Sequence, residues 1–205
     1  MHLQRGPFVR AACAGTEVPE AFLAGLISNE NAQLLEWPSR FEPRVFRALR
    51  LVKLGLYVRR TKWGVARDYN GITRAHLQLA TPQHLTALAT SWGDTQVMGY
   101  HAFTLHCSVS DLQDPSQHLP LAVRLLGLNS GAAAERQGRT NYFRLAALAS
   151  GPSERDQAFE CILRTWNGGG PKAATFSPAY VPHALAVIQA YERLIQRAQL
   201  VTQNV

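Results

Sequence analysis

The chain has 205 residues, of which 46% are hydrophobic and 17% are charged. This length fits a single domain with small appendages, and it is sufficient to bury a hydrophobic core. The apolar content is too high for a disordered chain. A membrane-spanning chain is excluded as well, because no apolar run approaches the ~18 residues that a helix needs to cross a bilayer.

The chain is strongly basic, with 21 Lys and Arg residues against 14 Asp and Glu residues and an isoelectric point near 9.8. A net charge of +7 indicates either a solvated basic surface or an anionic partner. Nucleic acid, a membrane surface and a charged polymer such as the bacterial cell wall are the partners that this charge suits. Net charge alone does not choose among them.

The cysteines and histidines predict neither a metal site nor a redox site. Cys13, Cys107 and Cys161 stand far apart, unlike a disulfide framework or a zinc motif, so we expect buried thiols. The seven histidines include no HExxH motif, and the chain lacks GxSxG and phosphate-loop motifs. We therefore expect no metal and no cofactor.

Residues 1–16 are expected to form an N-terminal extension. They contain Arg5 and Arg10 but no apolar core of the kind that secretory signals have. The sequence thus predicts a protein that is made in the cytoplasm without a signal peptide.

The first predicted element is an apolar helix. Residues 16–20 (TEVPE) predict its start, with Thr16 as the cap, and the apolar spacing over 22–27 is helical. This helix should end near 31–35. Residues 40–50 predict either a short helix or a strand that leads into one.

A turn signal and a series of helices follow. Asn70-Gly71 predicts a turn, and we expect a small β-hairpin element within 51–75. Five helices are predicted after it. The first begins at Thr81-Pro82 and ends at Trp92-Gly93, the second begins at Asp114-Pro115, and the third covers 141–149. The fourth begins at Ser153, with Asp156 in a weak capping box, and ends at 167–171, and the last covers about 182–199. The sequence therefore predicts a single, mainly helical domain.

Two carboxylates stand in contexts that suit acid–base chemistry. Glu30 lies at the end of the apolar helix, where the helix dipole disfavours negative charge and so favours a carboxyl that holds its proton. Glu42 stands between Arg40 and Arg44. The alternative interpretations are a solvent-facing glutamate and one half of a surface salt bridge.

Three segments in a fixed order, spread over residues 20–195, together resemble the lysozyme-like superfamily. They are 25–31 (GLISNEN) followed by 40–43 (RFEP), then 90–100 (TSWGDTQVMGY), and finally 165–171 (TWNGGGP) followed by Tyr180, Val181 and Tyr191. Goose-type lysozymes, lytic transglycosylases and phage-type N-acetylmuramidases are the branches that they resemble. The resemblance implies a mainly α (α+β) lysozyme-like fold and a peptidoglycan-cleaving domain over 17–200.

The resemblance also implies roles for individual residues. Glu30 matches the catalytic acid, and Glu42 matches the carboxylate of a Phe-Glu pair in the muramidase branch. Tyr180 matches the tyrosine that bonds the acid in the transglycosylase branch. The residues that the resemblance assigns to glycan binding are Gln96, Tyr100, Trp166, Asn167, Gly168 and Tyr180.

Some positions depart from the family pattern. Asn31 replaces the usual Ser after the acid, Trp166 stands where Tyr is common, and Asp94-Thr95 replaces a Leu-Met pair. Asp94 is either a second catalytic carboxylate or a polar residue in a turn, and we favour the turn. Asp68 is a further candidate for the second carboxylate.

The activity implied by the resemblance is cleavage of the β-1,4 bond between N-acetylmuramic acid and N-acetylglucosamine, with Glu30 protonating the leaving oxygen. With Glu42 as a second carboxylate, the reaction is an inverting hydrolysis. Without one, the 6-hydroxyl of the substrate attacks and gives the anhydro product of a lytic transglycosylase. The expected partner is a peptidoglycan strand, reached by a monomer after release or delivery, as for phage endolysins and injected antibacterial effectors.

Two other classes of protein stay open. The departures at Asn31 and Asp94 are compatible with a domain that binds glycan without cutting it, in which binding survives the loss of Glu30. A nucleic-acid-binding protein is the third class, but the densest basic patch, 59–63 (RRTKW), is short. We therefore expect neither nucleic-acid binding nor membrane insertion.

Overall fold

The computed structural model describes residues 2–31, 37–61 and 64–203. Over these residues the protein is mainly helical, with eleven helices and five short strands. In chain order they are α1 (His2–Cys13), α2 (Glu20–Glu30), β1 (Ser39–Phe41), α3 (Pro43–Lys53), β2 (Arg59–Thr61), β3 (Gly64–Ala66), α4 (Arg74–Leu77), α5 (Pro82–Leu88), β4 (Thr90–Trp92), β5 (Val97–Met98), α6 (His101–Leu105), α7 (Val109–Gln113), α8 (Pro115–Glu135), α9 (Tyr142–Ala147), α10 (Pro152–Gly168) and α11 (Tyr180–Gln203).

The contacts divide the chain into two compact units. The first unit contains residues 1–35 and 119–205, and the second contains residues 36–118. Helix α8 belongs to both, because its first turn lies in the second unit. The range 17–200, for which the sequence predicts one domain, therefore includes the whole second unit and most of the first.

The first unit is organised around helix α2, which is apolar on every side. All residues from Ala21 to Ile27 are buried, and α2 packs against both α1 and α11. The Phe22 ring lies at the centre, with ring centroids 5.0 Å from Phe143 and 5.1 Å from Phe159. The expected N-terminal extension takes part in this core, because Val9 and Cys13 of α1 are buried in it.

The second unit contains the strands. Its three-stranded antiparallel sheet has the order β1-β4-β5, with Phe41 opposite Thr90 and Ser91 opposite Met98. Helix α3 packs against α4 and α5, and α5 packs against β4. The separate core of this unit includes Leu49, Leu77 and Leu88.

The predicted fold class is confirmed: the protein is mainly helical, with a small β element. Strands β2 and β3 form an antiparallel hairpin within the predicted range 51–75. The predicted turn is present as well, because Tyr69 and Ile72 form a bridge across Asn70 and Gly71. These two residues have positive φ angles of 51° and 81°, which Asn and Gly adopt most readily.

The bounds of α2 differ from the prediction. The helix begins at Glu20 after Pro19 rather than at a Thr16 cap. The Thr16 hydroxyl instead holds the turn between α1 and α2, because it donates to the Cys13 carbonyl at 2.8 Å and accepts from the Val18 N–H at 3.2 Å. At the other end α2 stops at Glu30, and residues 32–35 of the predicted end lie outside the described residues.

Two later helix predictions were wrong at their ends. Helix α5 stops at Leu88, and 90–92 forms β4 because it pairs with β1, a contact about 50 residues away in the chain that local patterns do not report. Helix α10 begins at Pro152 rather than at Ser153. Glu154 makes the side-chain contact expected of Asp156, since its carboxylate accepts the Ser150 N–H at 2.9 Å.

Candidate functional site

Glu30 is the last residue of α2 and the only acid in the second half of that helix. The seven residues before Ser28 are buried, whereas Glu30 is partly exposed. The Asn31 N–H closes the helix by donating to the Ile27 carbonyl at 2.8 Å. The apolar helix therefore fixes the backbone and leaves the carboxyl at its end accessible, beside the negative end of the helix dipole.

The Tyr180 hydroxyl donates a hydrogen bond to Oε1 of Glu30. The two residues are 150 positions apart and meet because α2 packs along α11, of which Tyr180 is the first residue. Tyr180 is only 8% exposed. Burial raises the pKa of its hydroxyl well above the ordinary value, and the charge of Glu30 acts in the same direction. The tyrosine is therefore a neutral donor, which orients the carboxyl.

Three further polar side chains surround this pair. Asn29 donates to the Tyr180 carbonyl at 3.2 Å, and its own amide oxygen lies 2.7 Å from Nδ1 of His183. An amide oxygen only accepts, so Nδ1 of His183 carries the proton in this contact. Side-chain hydrogen bonds from Asn29 and Asn167 act on the Tyr180 hydroxyl and partly offset the rise of its pKa. We call Asn29, Glu30, Asn167, Tyr180 and His183 the Glu30 cluster.

The loop after α10 is shaped by residues of the third segment. Asn167 accepts the Phe176 N–H at 2.7 Å, which ties the loop to the helix end. A Cβ on Gly168 would lie 2.5 Å from the Ala174 carbonyl oxygen, so this glycine permits the loop to approach. Gly169 ends the helix with a φ of 79°. The expectation that these glycines admit a sugar stays a prediction, since at Gly168 the chain itself fills the space.

Trp166 lies at the C-terminal end of α10 and is half-buried against the core of the first unit. It precedes Asn167 of the Glu30 cluster directly. The first unit thus holds five of the residues that the resemblance assigned to the site: Glu30, Trp166, Asn167, Gly168 and Tyr180.

Gln96, assigned to sugar binding from the resemblance, lies in the second unit and supports its sheet. Its Nε2 donates to the carbonyls of Pro38 at 3.2 Å and Gly93 at 2.9 Å, and its Oε1 accepts the Ser91 hydroxyl at 2.8 Å. Gln96 has a φ of 52° in the turn between β4 and β5. The amide therefore holds this turn against the strands. Only the hydrogen-bonding capacity that these three bonds do not use is available to a sugar.

Tyr100 and Asp68 lie around the turn at 69–72. Tyr100 is 8% exposed, and its hydroxyl accepts Nδ2 of Asn70 at 3.2 Å. Its ring meets that of Tyr69 edge-on at 5.7 Å. Asp68 accepts the Gly71 N–H at 2.9 Å, as expected of a carboxylate that shapes a turn.

The remaining predicted carboxylates also have partners in the second unit. Glu42 accepts Nε of Arg40 at 2.6 Å, and the Arg40 side chain is largely exposed, which is the surface salt bridge considered from the sequence. Asp94 lies in the β4–β5 turn that the sequence favoured, and it is buried. Its charge acts on the buried His118, whose Nε2 lies 2.9 Å from the Thr95 hydroxyl.

Sequence reasoning missed Asn29 and His183. One signal was available for His183: it stands three residues after Tyr180, so the two share a face of a helix. Asn29 precedes the predicted acid directly, but nothing local indicates that it bonds α11.

The described part of the chain offers no cluster of three or more His, Cys, Asp or Glu side chains that would hold a metal ion. None of the described helices has the length and apolar character needed to span a membrane. Comparisons with protein-family models, with curated proteins and with solved structures give no match for this chain.

Proposed function

We propose that this protein is a peptidoglycan-degrading glycoside hydrolase, an N-acetylmuramidase that uses Glu30 as its general acid. Its bond of cleavage is the β-1,4 linkage between N-acetylmuramic acid and N-acetylglucosamine. The observation that carries the choice of Glu30 as the acid is the hydrogen bond from Tyr180 to Glu30. It joins the two residues to which the sequence resemblance assigned the roles of catalytic acid and of the tyrosine that bonds the acid.

The chemistry of the Glu30 cluster fits an acid that must give up a proton. Glu30 protonates the oxygen of the leaving sugar as the glycosidic bond breaks, and it is left as a carboxylate. A neutral hydroxyl that donates to the carboxyl stabilises that charge, because hydrogen bonds to ionised acceptors are stronger. Tyr180 remains the donor throughout, and Asn29 and Asn167 hold it in place.

The second step depends on a group that activates water. Glu42 is our first candidate for the base in an inverting hydrolysis, and Asp94 and Asp68 are the next candidates. Glu42 would have to leave its ion pair with Arg40. That pair is exposed and inexpensive to break, since surface salt bridges contribute about 0 to 1 kcal/mol.

Glycan binding is assigned to the polar and aromatic groups predicted from the sequence. Asn167 and Tyr180 belong to the Glu30 cluster, and Trp166 and Gly168 flank Asn167. Gln96 and Tyr100, the other residues of the predicted set, belong to the second unit. We propose that the protein acts as a monomer on the cell wall, after release or delivery from the cytoplasm.

The test compares the release of soluble muropeptides from purified peptidoglycan by the wild type and three variants. Glu30→Gln keeps the shape of the side chain but cannot donate the proton, so release should fall at least about 1000-fold. Glu20→Gln, at the other end of α2, is the matched control and should keep the wild-type rate. Glu42→Gln reports on the base and should lower the rate only if the reaction is a hydrolysis.

The outcomes separate catalysis from binding. If Glu30→Gln and the wild type release equal amounts, Glu30 is not the acid. If neither releases product from several wall types but both sediment with peptidoglycan, the protein is the glycan-binding domain considered above.

A lytic transglycosylase is the second candidate, and two observations favour it. Tyr180 bonds Glu30 as the resemblance to that branch implies, and the Glu42 carboxylate is occupied by Arg40. In this reaction Glu30 acts first as acid and then as base, and it takes the proton of the attacking 6-hydroxyl. The Glu42→Gln variant would then cleave at the wild-type rate.

A further inference from the structure

The positive charge of the chain is concentrated in residues 40–67. This segment contains nine Arg and Lys residues and a single acid, Glu42. The rest of the chain contains twelve Arg and Lys residues and thirteen acids, so its formal charge is close to zero. The excess that gives the protein its basic character therefore belongs to one segment, which lies in the second unit.

The same segment exposes large apolar side chains. Leu54 is 57% exposed, Leu56 65% and Val58 58%, so three of five consecutive residues present aliphatic groups to solvent. Phe41 and Leu51 are also exposed. Contiguous apolar surface of this kind indicates an interaction site rather than ordinary surface variation.

Helix α3 presents part of this surface, because Leu51 lies on it and Leu54 is its C-cap residue. Its inner face is buried through Ala48, Leu49 and Val52, and α3 packs there on α4 and α5. The outer face forms a groove of about 520 Å³, whose lining residues are Phe41, Pro43, Phe46, Arg47, Arg50, Leu51 and Leu54. We call this surface the α3 groove.

The arginines of this surface are available to a partner. Among the described residues, Arg40 is paired with Glu42, whereas Arg44, Arg47 and Arg50 form no salt bridge. The Arg50 guanidinium lies 5.9 Å from the centre of the Phe46 ring, which keeps it at the edge of the groove. Apolar groups are thus bordered by cations that have no acidic partner in the described structure.

We propose that the α3 groove and the exposed residues 54–60 are a docking surface for an anionic phospholipid bilayer. Amphipathic surfaces bind the headgroup region of a bilayer by combining Arg and Lys with exposed Leu and Phe. The apolar groups enter the acyl boundary, and the cations contact the phosphates. Nucleic acid fits less well, because its phosphate backbone offers no apolar contact to the exposed Leu54, Leu56 and Val58. Docking at this surface does not require the proton transfer proposed for Glu30, although the candidate base Glu42 lies in the same segment.

The test measures flotation of the full-length protein with vesicles made of equal parts phosphatidylglycerol and phosphatidylcholine, and with vesicles of phosphatidylcholine alone. Wild type should bind the anionic vesicles and bind the neutral ones at least about tenfold more weakly. Reversing two charges, Arg44→Glu with Arg47→Glu, should weaken binding to the anionic vesicles at least about tenfold. Removing apolar contact, Leu51→Ser with Leu54→Ser, should weaken it about tenfold at unchanged charge.

Matched controls lie outside the segment. Arg124→Glu with Arg136→Glu makes the same charge change at exposed positions of the first unit, and Leu79→Ser with Leu148→Ser removes two leucines that are more exposed. Both controls should bind anionic vesicles within about threefold of the wild type, and circular dichroism should show that all variants are folded.

Three results would overturn the proposal. One is no flotation of the wild type with anionic vesicles at moderate salt. Another is equal loss in the segment variants and the matched controls, which would make the binding a general effect of charge. The third is duplex DNA that binds more tightly than the vesicles and whose binding the leucine substitutions leave unchanged, which would assign the surface to nucleic acid.

Discussion

At the scale of the residue, the proposed function depends on the pair formed by Glu30 and Tyr180. A partly exposed carboxyl at the end of an apolar helix receives a hydrogen bond from a buried hydroxyl 150 residues away. The role proposed for this pair is chemical, because a hydrogen bond from a neutral hydroxyl stabilises the charge that Glu30 carries once it has given up its proton. Its effect on Glu30 can be measured separately from its effect on stability.

The Tyr180→Phe variant removes the hydroxyl and keeps the packing of the ring. A hydrogen bond to a charged group contributes about 1.5–3 kcal/mol, so kcat/KM should fall about 10- to 100-fold if the bond forms with the ionised Glu30. The measurement is the initial rate of muropeptide release as a function of pH. Tyr191→Phe, the same change on the same helix, is the control. Equal rates and pH profiles for the two variants would contradict the role given to Tyr180.

A second residue-scale prediction concerns His101. Burial lowers the pKa of its imidazole from 6.5 to about 4, and its Nδ1 has no hydrogen-bond partner among the described residues. The unfolded chain therefore binds a proton near pH 6.5 that the folded protein does not take up until about pH 4. The stability that His101 contributes is fully present above pH 6.5 and is lost as the pH falls toward 4.

His101→Gln cannot take up this proton, so its free energy of unfolding should fall less than that of the wild type over the same range. The expected difference is about 1–3 kcal/mol. Urea unfolding at a series of pH values measures it, and the exposed His84→Gln is the control. Parallel curves for the wild type and His101→Gln would show that folding does not lower the pKa of the imidazole.

Local sequence patterns could predict Glu30 but not its surroundings. Helical apolar spacing followed by an acid is visible within a dozen residues, and the resemblance pointed to Tyr180. Asn29 and His183 were missed because their contact depends on how α2 packs on α11. Gln96 illustrates the opposite case, since a residue chosen for sugar binding makes three hydrogen bonds that hold a turn.

At the scale of the element, the approach of α2 to α11 determines the Glu30 cluster. Gly25 permits a close contact between them, because a Cβ at this position would lie 2.4 Å from Cγ1 of Ile188 and 3.2 Å from the Ala184 carbonyl oxygen. Glycine inside a helix costs about 1 kcal/mol relative to alanine. The close packing of the two helices offsets this cost.

The Gly25→Ala variant should therefore lower the free energy of unfolding by about 1–2 kcal/mol, because overpacking outweighs the better helix propensity. In the background of Ile188→Ala, which removes the opposing Cγ1, the same change should become neutral or stabilising by up to about 1 kcal/mol. Chemical denaturation of the four proteins in this double-mutant cycle measures the change of sign.

Gly127→Ala is the control for that cycle, because a Cβ at Gly127 of α8 would meet nothing within 4 Å. It should be stabilising in either background by up to about 1 kcal/mol. If Gly25→Ala behaves like Gly127→Ala, the two helices are less closely packed at this position than the structure indicates.

Elements were predictable where the signal is local and were missed where pairing is distant. The Asn70-Gly71 turn and the end of α10 at Gly169 follow from backbone angles that Gly and Asn tolerate. Strand β4 was assigned to the end of a helix, because its three residues carry no alternation long enough to indicate a strand. Only its pairing with β1 and β5 makes it one.

At the scale of the whole molecule, composition indicated a basic protein and apolar spacing a mainly helical one, but neither indicated how its parts are divided. Each of the two compact units has its own apolar core. The Glu30 cluster belongs to the first unit, and the charged segment 40–67 belongs to the second. The proposed acid Glu30 and the proposed docking surface therefore belong to different units, whereas the candidate base Glu42 lies in the charged segment itself.

The mass of the reaction products shows whether Glu30 acts on the glycan of peptidoglycan, as we propose. Purified peptidoglycan is incubated with the wild type and with Glu30→Gln, and the soluble muropeptides are analysed by mass spectrometry. We expect muropeptides with a reducing N-acetylmuramic acid from the wild type only. Products lighter by one water, again from the wild type only, would keep Glu30 as the acid but assign the protein to the transglycosylases. Equal products from both proteins, or none from the wild type on any wall type, would contradict the claim.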